Sequence, residues 1–469
     1  MTLIKSVSGI RGTIHEDDSR GLSTKEIEKC VSQFIEWVIS DNKNVENTII
    51  VVGRDGRKSG QAILKFIINI LVKNSISVID LGLTTTPSVQ MAITSENCRA
   101  GIMVSASHNP INWNGLKLLN DLGEFLTKHQ AEKVFNYNLS NKKFSDLKTS
   151  HKPIEIEVLD YKEKHISSIL DLRDVDPKKI ALKKYKIVVD GINSSGGIFV
   201  PFLLEKLGVQ VIKLNCEPNG LFAHNPEPLP VNLSKLSALV KQHKADLGIA
   251  VDPDVDRLVL ICDDGDYLGE ENTIVTIAKY ITHHYPGSIV VSNLSTTKAL
   301  SDIVSESGGV HYESAVGEIN VVELMKQKKA IIGGEGSGGV IFPFSHYGRD
   351  ALVGIALFLT FLAESNLSAS EIKSSLPTYF MLKEKINLSV NKSFKFDSFL
   401  ERLINYANNN NNKYSLIDGI KIYYSCGGWS HIRNSNTEPI IRLIVESHTK
   451  QRSLDIKKQL INEINHYLK

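Results

Sequence analysis

Along most of the chain, short β-branched runs alternate with stretches of helical period. Residues 48–52, 77–81 and 101–105 read as buried strands, whereas 61–73 and 88–95 carry the three-to-four spacing of helices that face a core. Strands alternating with helices at this pace predict βαβ units and a largely parallel sheet. The rhythm restarts at 186–190, with a helix at 197–207 and a strand at 209–214. It restarts again at 288–292, with helices at 297–305 and 318–326. Three α/β units of similar layout are therefore expected, with no sequence repeat strong enough to establish duplication. The tail differs: a helix at 395–406, strands at 419–424 and 440–446 and a last helix predict a small α+β domain. The five asparagines at 408–412 read as a solvated loop with no functional role.

A length of 469 residues exceeds what one core supports and calls for three or four domains. The 42% apolar and 23% charged content is that of soluble globular proteins. Lysine and arginine total 54 against 52 acidic residues, so no general positive field exists to draw in nucleic acid or anionic lipid, and affinity for phosphate must be local. The longest apolar stretch, 351–363, is bounded by Asp350 and Glu364 and is too short to span a bilayer, which takes about 20 residues. The N-terminus has no apolar signal-peptide core. Cys30, Cys98, Cys216, Cys262 and Cys426 form no CxxC pair, so neither a disulfide framework nor a zinc site is indicated. A cytoplasmic protein is the expectation.

Candidate chemistry lies where strands run out. In GIMVSASHNPINWNGLK, residues 101–117, a strand passes into Ser105, Ser107 and His108, at the end of the strand where open α/β sheets place ligands. Ordinary Asn-Pro and Asn-Gly turns would also explain the segment. DLGIAVDPDVDRLVL opens an apolar strand into Asp252, Asp254, Asp256 and Arg257. Three such carboxylates converge only around something positive, and hard oxygen ligands point to Mg²⁺ or Ca²⁺. An EF-hand is excluded, because Arg257 stands where its sixth-position glycine would be and Asp263 where its last glutamate would be. With three carboxylates, a Mg²⁺ would still need water or phosphate oxygen. GGEGSGG, 333–339, offers Glu335 and Ser337 among glycines that admit a ligand to the backbone. HIRNSNTEPIIR, 431–442, strings Arg433, Ser435, Asn436, Thr437 and Arg442 around a turn, as a phosphate cradle would. SGIRG, 8–12, places Arg11 between glycines.

Taken in this order, the five segments resemble the α-D-phosphohexomutase family: phosphoglucomutases, phosphomannomutases and phosphoglucosamine mutases. GRDGRKSG at 53–60, TTTPS at 84–88 and NPEP at 225–228 also look familial. The resemblance implies four domains around a central cleft, three α/β mixed-sheet domains and a C-terminal α+β domain. Their expected bounds are 1–150 with a phosphoserine loop, 151–258 with a metal loop, 259–375 with a sugar-binding loop and 376–469 with a phosphate-binding loop.

In that family pattern Ser107 is the phosphoserine, and Asp252, Asp254, Asp256 and the Ser107 phosphate hold Mg²⁺. Arg11, His108 and Arg257 surround the phosphoserine, and Lys117 is the general base or acid, a role that needs its pKa lowered. Glu335 and Ser337 bind sugar, while Arg433, Ser435, Asn436, Thr437 and Arg442 hold the non-reacting phosphate. The implied reaction interconverts hexose 6-phosphate and 1-phosphate through a bisphosphorylated hexose, in a monomer or homodimer.

Many relatives carry histidine where Gly339 stands here, and some carry one where Glu318 stands. GGEGSGGVIFP with HYGRDALVGIAL looks closest to a subgroup assigned to glucosamine phosphate, with mannose or glucose phosphates as alternatives. Two other readings remain: a haloacid-dehalogenase-type phosphatase with Asp252 as nucleophile, which leaves Ser107 unexplained, and a non-catalytic sugar-phosphate sensor.

Overall fold

The computed structural model describes residues 3–15, 17, 20–41, 48–139, 156–387, 396–425, 427–434 and 440–468. Its first sheet contains β1 (Leu3–Ser6), β2 (Gly9–Thr13), β3 (Ile49–Arg54), β4 (Ser77–Leu83), β5 (Ala100–Val104), β6 (Trp113–Leu119) and β7 (Ile156–Val158). Their order is β1-β2-β6-β5-β3-β4-β7. The second sheet contains β8 (Lys186–Asp190), β9 (Gln210–Leu214), β10 (Leu247–Val251) and β11 (Leu258–Cys262), in the order β11-β10-β8-β9. The third contains β12 (Ile289–Asn293), β13 (Val310–Ser314), β14 (Ile332–Glu335) and β15 (Gly339–Ile341), in the order β13-β12-β14-β15.

The three sheets are mixed, as the family resemblance implies, with parallel pairing inside each unit and an antiparallel strand alongside. β4, β3 and β5 run parallel and β6 turns back antiparallel beside β5. The same relation joins β9, β8, β10 and β11, and again β13, β12, β14 and β15. The similar layout expected of the three units is thus a shared strand order, whose antiparallel fourth strand reads in sequence as one more apolar run. In each unit the third strand ends in a functional segment that reverses the chain into the fourth: 105–112, 252–257 and 336–338. β7 joins the first sheet although it lies beyond residue 150, and β11 carries the second sheet past 258.

Helix Gly60–Lys73 buries Ile63, Leu64, Ile67, Ile70 and Leu71, the one-face spacing read from sequence. The 351–363 stretch lies in helix Ala351–Ser365, which packs on helices Lys162–Leu170, Pro177–Lys183 and Glu270–His284. Burial on nearly every side explains its continuous hydrophobicity, and one core runs through the second and third units around it. No described helix is long and apolar enough to cross a membrane.

The last sheet is fully antiparallel: β16 (Phe380–Asn387), β17 (Lys413–Ser415), β18 (Ile420–Tyr423), β19 (Trp429–Asn434) and β20 (Ile440–Ser447), in the order β16-β20-β19-β18-β17. Ile432, Ile441, Leu443 and Val445 on one face pack with Phe399, Leu403 and Leu460 of helices Phe396–Asn409 and Lys450–Leu468. The other face meets the third unit, where Lys421 and Tyr423 bond Glu313 at 2.5 Å each, and Glu446 accepts from Lys298 N at 2.8 Å. The helix extends through Asn409, so only part of the asparagine run is loop, and Asn411 takes a left-handed φ of 52°.

Candidate active site

The segment after β5 is pinned from beneath. Arg57, 1% exposed, donates Nη1 to the carbonyls of Pro110 (2.7 Å) and Trp113 (2.9 Å) and Nη2 to those of Ser107 (2.6 Å) and Asn109 (2.7 Å). Its Nε reaches buried Asp55 at 3.2 Å, and Asp55 also accepts from Ser105 Oγ at 2.8 Å. Ser105 Oγ in turn accepts from Ser107 N at 2.8 Å. This network holds Ser107 at φ 49°, a left-handed conformation that costs a non-glycine residue about 1–3 kcal/mol and is tolerated where surroundings over-determine it.

Ser107 Oγ, so placed, donates to Asp252 Oδ2 at 2.7 Å and lies 3.2 Å from His108 Nδ1. The serine and the first aspartate are 145 residues apart in sequence. Asp252 Oδ1 accepts from Asp256 N (3.1 Å) and Arg257 N (3.2 Å), so its carboxylate is fixed by the loop it begins. That loop bends at Val255, with φ 63°, and all three aspartates are buried. One oxygen from each of Asp252, Asp254 and Asp256 lies within 4.8 Å of the others.

Lys117 Nζ bonds Asp254 Oδ2 and, at 2.9 Å, Asp256 Oδ2. Thr86 Oγ1, from the TTTPS segment, also bonds Asp254 Oδ2, and Thr86 N donates to the Asp254 carbonyl at 3.0 Å. Burial would lower the Lys117 ammonium, but Asp254 and Asp256 outweigh it and raise it. The expected base or acid role calls for the opposite direction. Burial, reinforced by Asp256 and Asp254, raises Asp252 well above the usual carboxylate range; for Asp256 burial is overcome by Arg349, Lys117 and Arg257, which hold it well below.

Asp254 Oδ1 and Asp256 Oδ1 are buried with no hydrogen-bond partner among the described residues. Two such oxygens beside a third carboxylate suit a hard divalent cation, so the donor set fits Mg²⁺. Arg257 Nε lies 3.9 Å from Asp256 Oδ1, and Arg11 Nη1 donates to Asn109 Oδ1 at 3.3 Å. Burial, then Arg257 and Arg11, lower the His108 imidazole well below its ordinary value and leave it neutral.

Glu335, at the end of β14, accepts from Asn293 Nδ2 (2.7 Å), Gly317 N (3.2 Å) and Arg349 Nη1 (2.5 Å). Half-buried Ser337 sits on the turn. Gly338 carries φ 86° and accepts Leu258 N at its carbonyl (2.9 Å), directly after the aspartate loop. A Cβ there would fall 2.5 Å from Leu258 O, so only glycine lets the two loops touch.

Arg433 and Arg442 face each other across β19 and β20, and Lys385 of β16 stands opposite Arg442 on the other side. Three cations thus cross three strands in one row, a basic surface suited to an anion. Ser435, Asn436 and Thr437 lie outside the described residues.

Arg57, Thr86, Lys385 and Arg349 were not assigned roles from sequence. GRDGRKSG, TTTPS and GRD were visible as patterns, but their partners come from distant segments.

Models of all four domains of the phosphoglucomutase/phosphomannomutase family match the chain. Three, described as alpha/beta/alpha domains I, II and III, cover 3–144, 163–265 and 270–380, and the C-terminal domain covers 386–463. The chain belongs to this family. It is 32% identical to a phosphoglucomutase/phosphomannomutase of Thermococcus kodakarensis over 89% of this chain and 91% of the relative. It is 27% identical to a phosphoglucosamine/phosphogalactosamine mutase of Sulfurisphaera tokodaii over 97% of each. A phosphoglucomutase/phosphomannomutase family protein of Burkholderia thailandensis shares the fold at TM-score 0.83 and 24% identity, over 99% of this chain and 97% of that one. Members of this family are phosphohexomutases, enzymes of intramolecular phosphoryl transfer, and the phosphatase reading falls away.

Proposed function

We propose that this enzyme interconverts hexose 6-phosphate and hexose 1-phosphate through a phosphoserine at Ser107, with glucosamine 6-phosphate to glucosamine 1-phosphate as the favoured reaction. The observation that carries the reading is Ser107 Oγ at 2.7 Å from Asp252, within an acidic cluster that has two unsatisfied buried oxygens. A hydroxyl there can serve as both phosphoryl carrier and, once phosphorylated, oxygen donor to the ion the aspartates would hold. Mg²⁺ on Asp252, Asp254, Asp256 and the Ser107 phosphate would neutralise phosphoryl charge and relieve the carboxylates that keep Lys117 protonated.

The chain's own groups do the rest. The phosphorus–oxygen bond to Ser107 breaks as one forms to the sugar hydroxyl, and a proton moves, in net, from that hydroxyl to Ser107 Oγ, with Lys117 as the relay. Arg11 and Arg257 neutralise phosphoryl charge, and neutral His108 offers a hydrogen bond. Glu335 and Ser337 grip sugar hydroxyls, and Arg433 and Arg442, with Ser435, Asn436 and Thr437 as the family pattern implies, hold the other phosphate. The bisphosphorylated hexose reorients and returns its second phosphate to Ser107. Glucosamine is favoured by the relatives named phosphoglucosamine mutase.

Parallel kinetics on glucosamine, glucose and mannose 6-phosphates test the substrate. The 1-phosphate of glucosamine should form with the highest kcat/KM and without inorganic phosphate; a higher value for glucose or mannose would overturn the preference.

A further inference from the structure

Arg349 is a largely buried cation whose surroundings neither the family pattern nor the mechanism above accounts for. Its guanidinium divides three ways. Nη1 donates to Glu335 Oε2 at 2.5 Å, Nη2 donates to Asp256 Oδ2 at 2.8 Å, and Nε lies 3.0 Å from Glu318 Oε2. One planar fork thereby touches the sugar-loop carboxylate, the aspartate cluster and the glutamate that stands where some relatives have histidine.

The arginine is built in rather than incidental. Its side chain is 10% exposed, and its own N–H reaches Glu318 Oε1 at 3.3 Å. Its neighbour Asp350 caps helix Ala351–Ser365 through Leu352 N at 2.8 Å. Asp350 Oδ2 also bonds His165 Nε2 at 2.8 Å, and His165 Nδ1 reaches Ser88 Oγ at 2.8 Å. All three of those side chains are buried, so the backbone at 349 is anchored to the first unit as well as to the third.

Gly339 completes the case. A Cβ there would fall well under 3.0 Å from Arg349 Cδ and 3.1 Å from its Cγ. The missing side chain at 339 is the seat of the arginine stem. Glycine at 339 and glutamate at 318 are therefore two parts of one arrangement: the first gives Arg349 room, the second gives it counter-charge.

We propose that Arg349 is a positioning residue for sugar recognition, holding Glu335 aimed at a substrate hydroxyl while tying the sugar loop to the aspartate loop. The assignment rests on Glu335 being a sugar ligand in the reading above. Arg349 acts through Glu335 and need not touch the substrate. With the fork removed, Glu335 keeps Asn293 and Gly317 on one oxygen and loses its partner on the other, so its grip on the hydroxyl weakens.

The experiment compares wild type, Arg349→Gln, Arg349→Lys and Gly339→Ala. For Arg349→Gln, KM for the best hexose phosphate should rise roughly tenfold, with a smaller change in kcat, and calorimetric affinity for that hexose phosphate in a Ser107→Ala background should fall by roughly the same factor. Arg349→Lys keeps the charge without the fork and should recover only part of the loss. Gly339→Ala leaves the arginine in place but pushes its stem out, and should raise KM in the same direction; combined with Arg349→Gln it should add nothing further. Across monodeoxy hexose phosphates, the difference between wild type and Arg349→Gln should vanish for the analogue that lacks the hydroxyl accepted by Glu335. Unchanged KM and affinity in both Arg349→Gln and Gly339→Ala, with only the melting temperature lowered, would overturn the assignment. If wild type fails to isomerise any hexose phosphate, the mutase reading fails instead, and the two failures are distinct.

Discussion

Arg57 shows how much a single buried side chain decides here. It spends every arm of its guanidinium on the serine segment and on Asp55. Replacing it by alanine would leave Asp55 buried without its cation and four carbonyls without their donor. Breaking a buried pair in this way costs about 3–5 kcal/mol. Chemical denaturation should show a loss of that order for Arg57→Ala, and Arg57→Lys, lacking the fork, should keep most of the fold but lower kcat more than KM, because the Ser107 conformation relaxes. Sequence made Ser107 and the three aspartates legible as candidates, since each stands in a polar segment where a strand runs out, whereas Lys117, inside β6, was named only through the family resemblance. It gave no sign of Arg57's role, because a guanidinium that bonds carbonyls 50 residues away leaves no local pattern. The charge state of Lys117 was equally hidden: its direction follows from Asp254 and Asp256, 137 and 139 residues downstream.

At the level of elements, the strands and helices read from the sequence pattern lie within a few residues of those observed, while the mixed direction of the sheets came from the family resemblance rather than from periodicity. The fourth strand of each α/β unit pairs antiparallel, and β-branched periodicity is the same for either direction. That reversal is what matters for function, because it places each functional segment in a tight return beside its own strand. On the last sheet, register rather than motif exposes the row Lys385, Arg442 and Arg433. If a phosphate lies over this row, Lys385→Ala and Arg433→Ala should each raise KM for hexose phosphates roughly tenfold, and the effect should shrink as salt is added. Unchanged KM in both variants, or a rise that salt does not diminish, would argue against a row kept for an anion.

The molecule as a whole closes through a seam between the third unit and the last sheet that holds two histidines, His431 buried and His311 half-buried. His311 bonds Ser292 Oγ at 2.9 Å, and His431 donates Nε2–H to the Asp418 carbonyl at 2.6 Å while Nδ1 accepts from Ser295 Oγ at 2.9 Å. Burial lowers both from 6.5 to about 4. In the unfolded chain they take up protons near 6.5, so the unfolded state binds more protons between about 6.5 and 4. Stability is full above that window and falls as pH drops through it. Melting temperatures measured across the window should decline less steeply in His311→Asn and His431→Asn than in wild type. An unchanged slope in both variants would place the acid sensitivity elsewhere.

The architecture brings the chain reversals after β5, β10 and β14 together, and the claim on which the proposed chemistry turns is that phosphate passes through Ser107. The direct measurement is to supply hexose bisphosphate carrying radiolabelled phosphate, quench during turnover and map the label by peptide. Label on the peptide containing Ser107, chased off by unlabelled hexose 6-phosphate and absent from Ser107→Ala, is the predicted result. Isomerisation at the full rate with no label on the protein, or unimpaired turnover by Ser107→Ala, would contradict it.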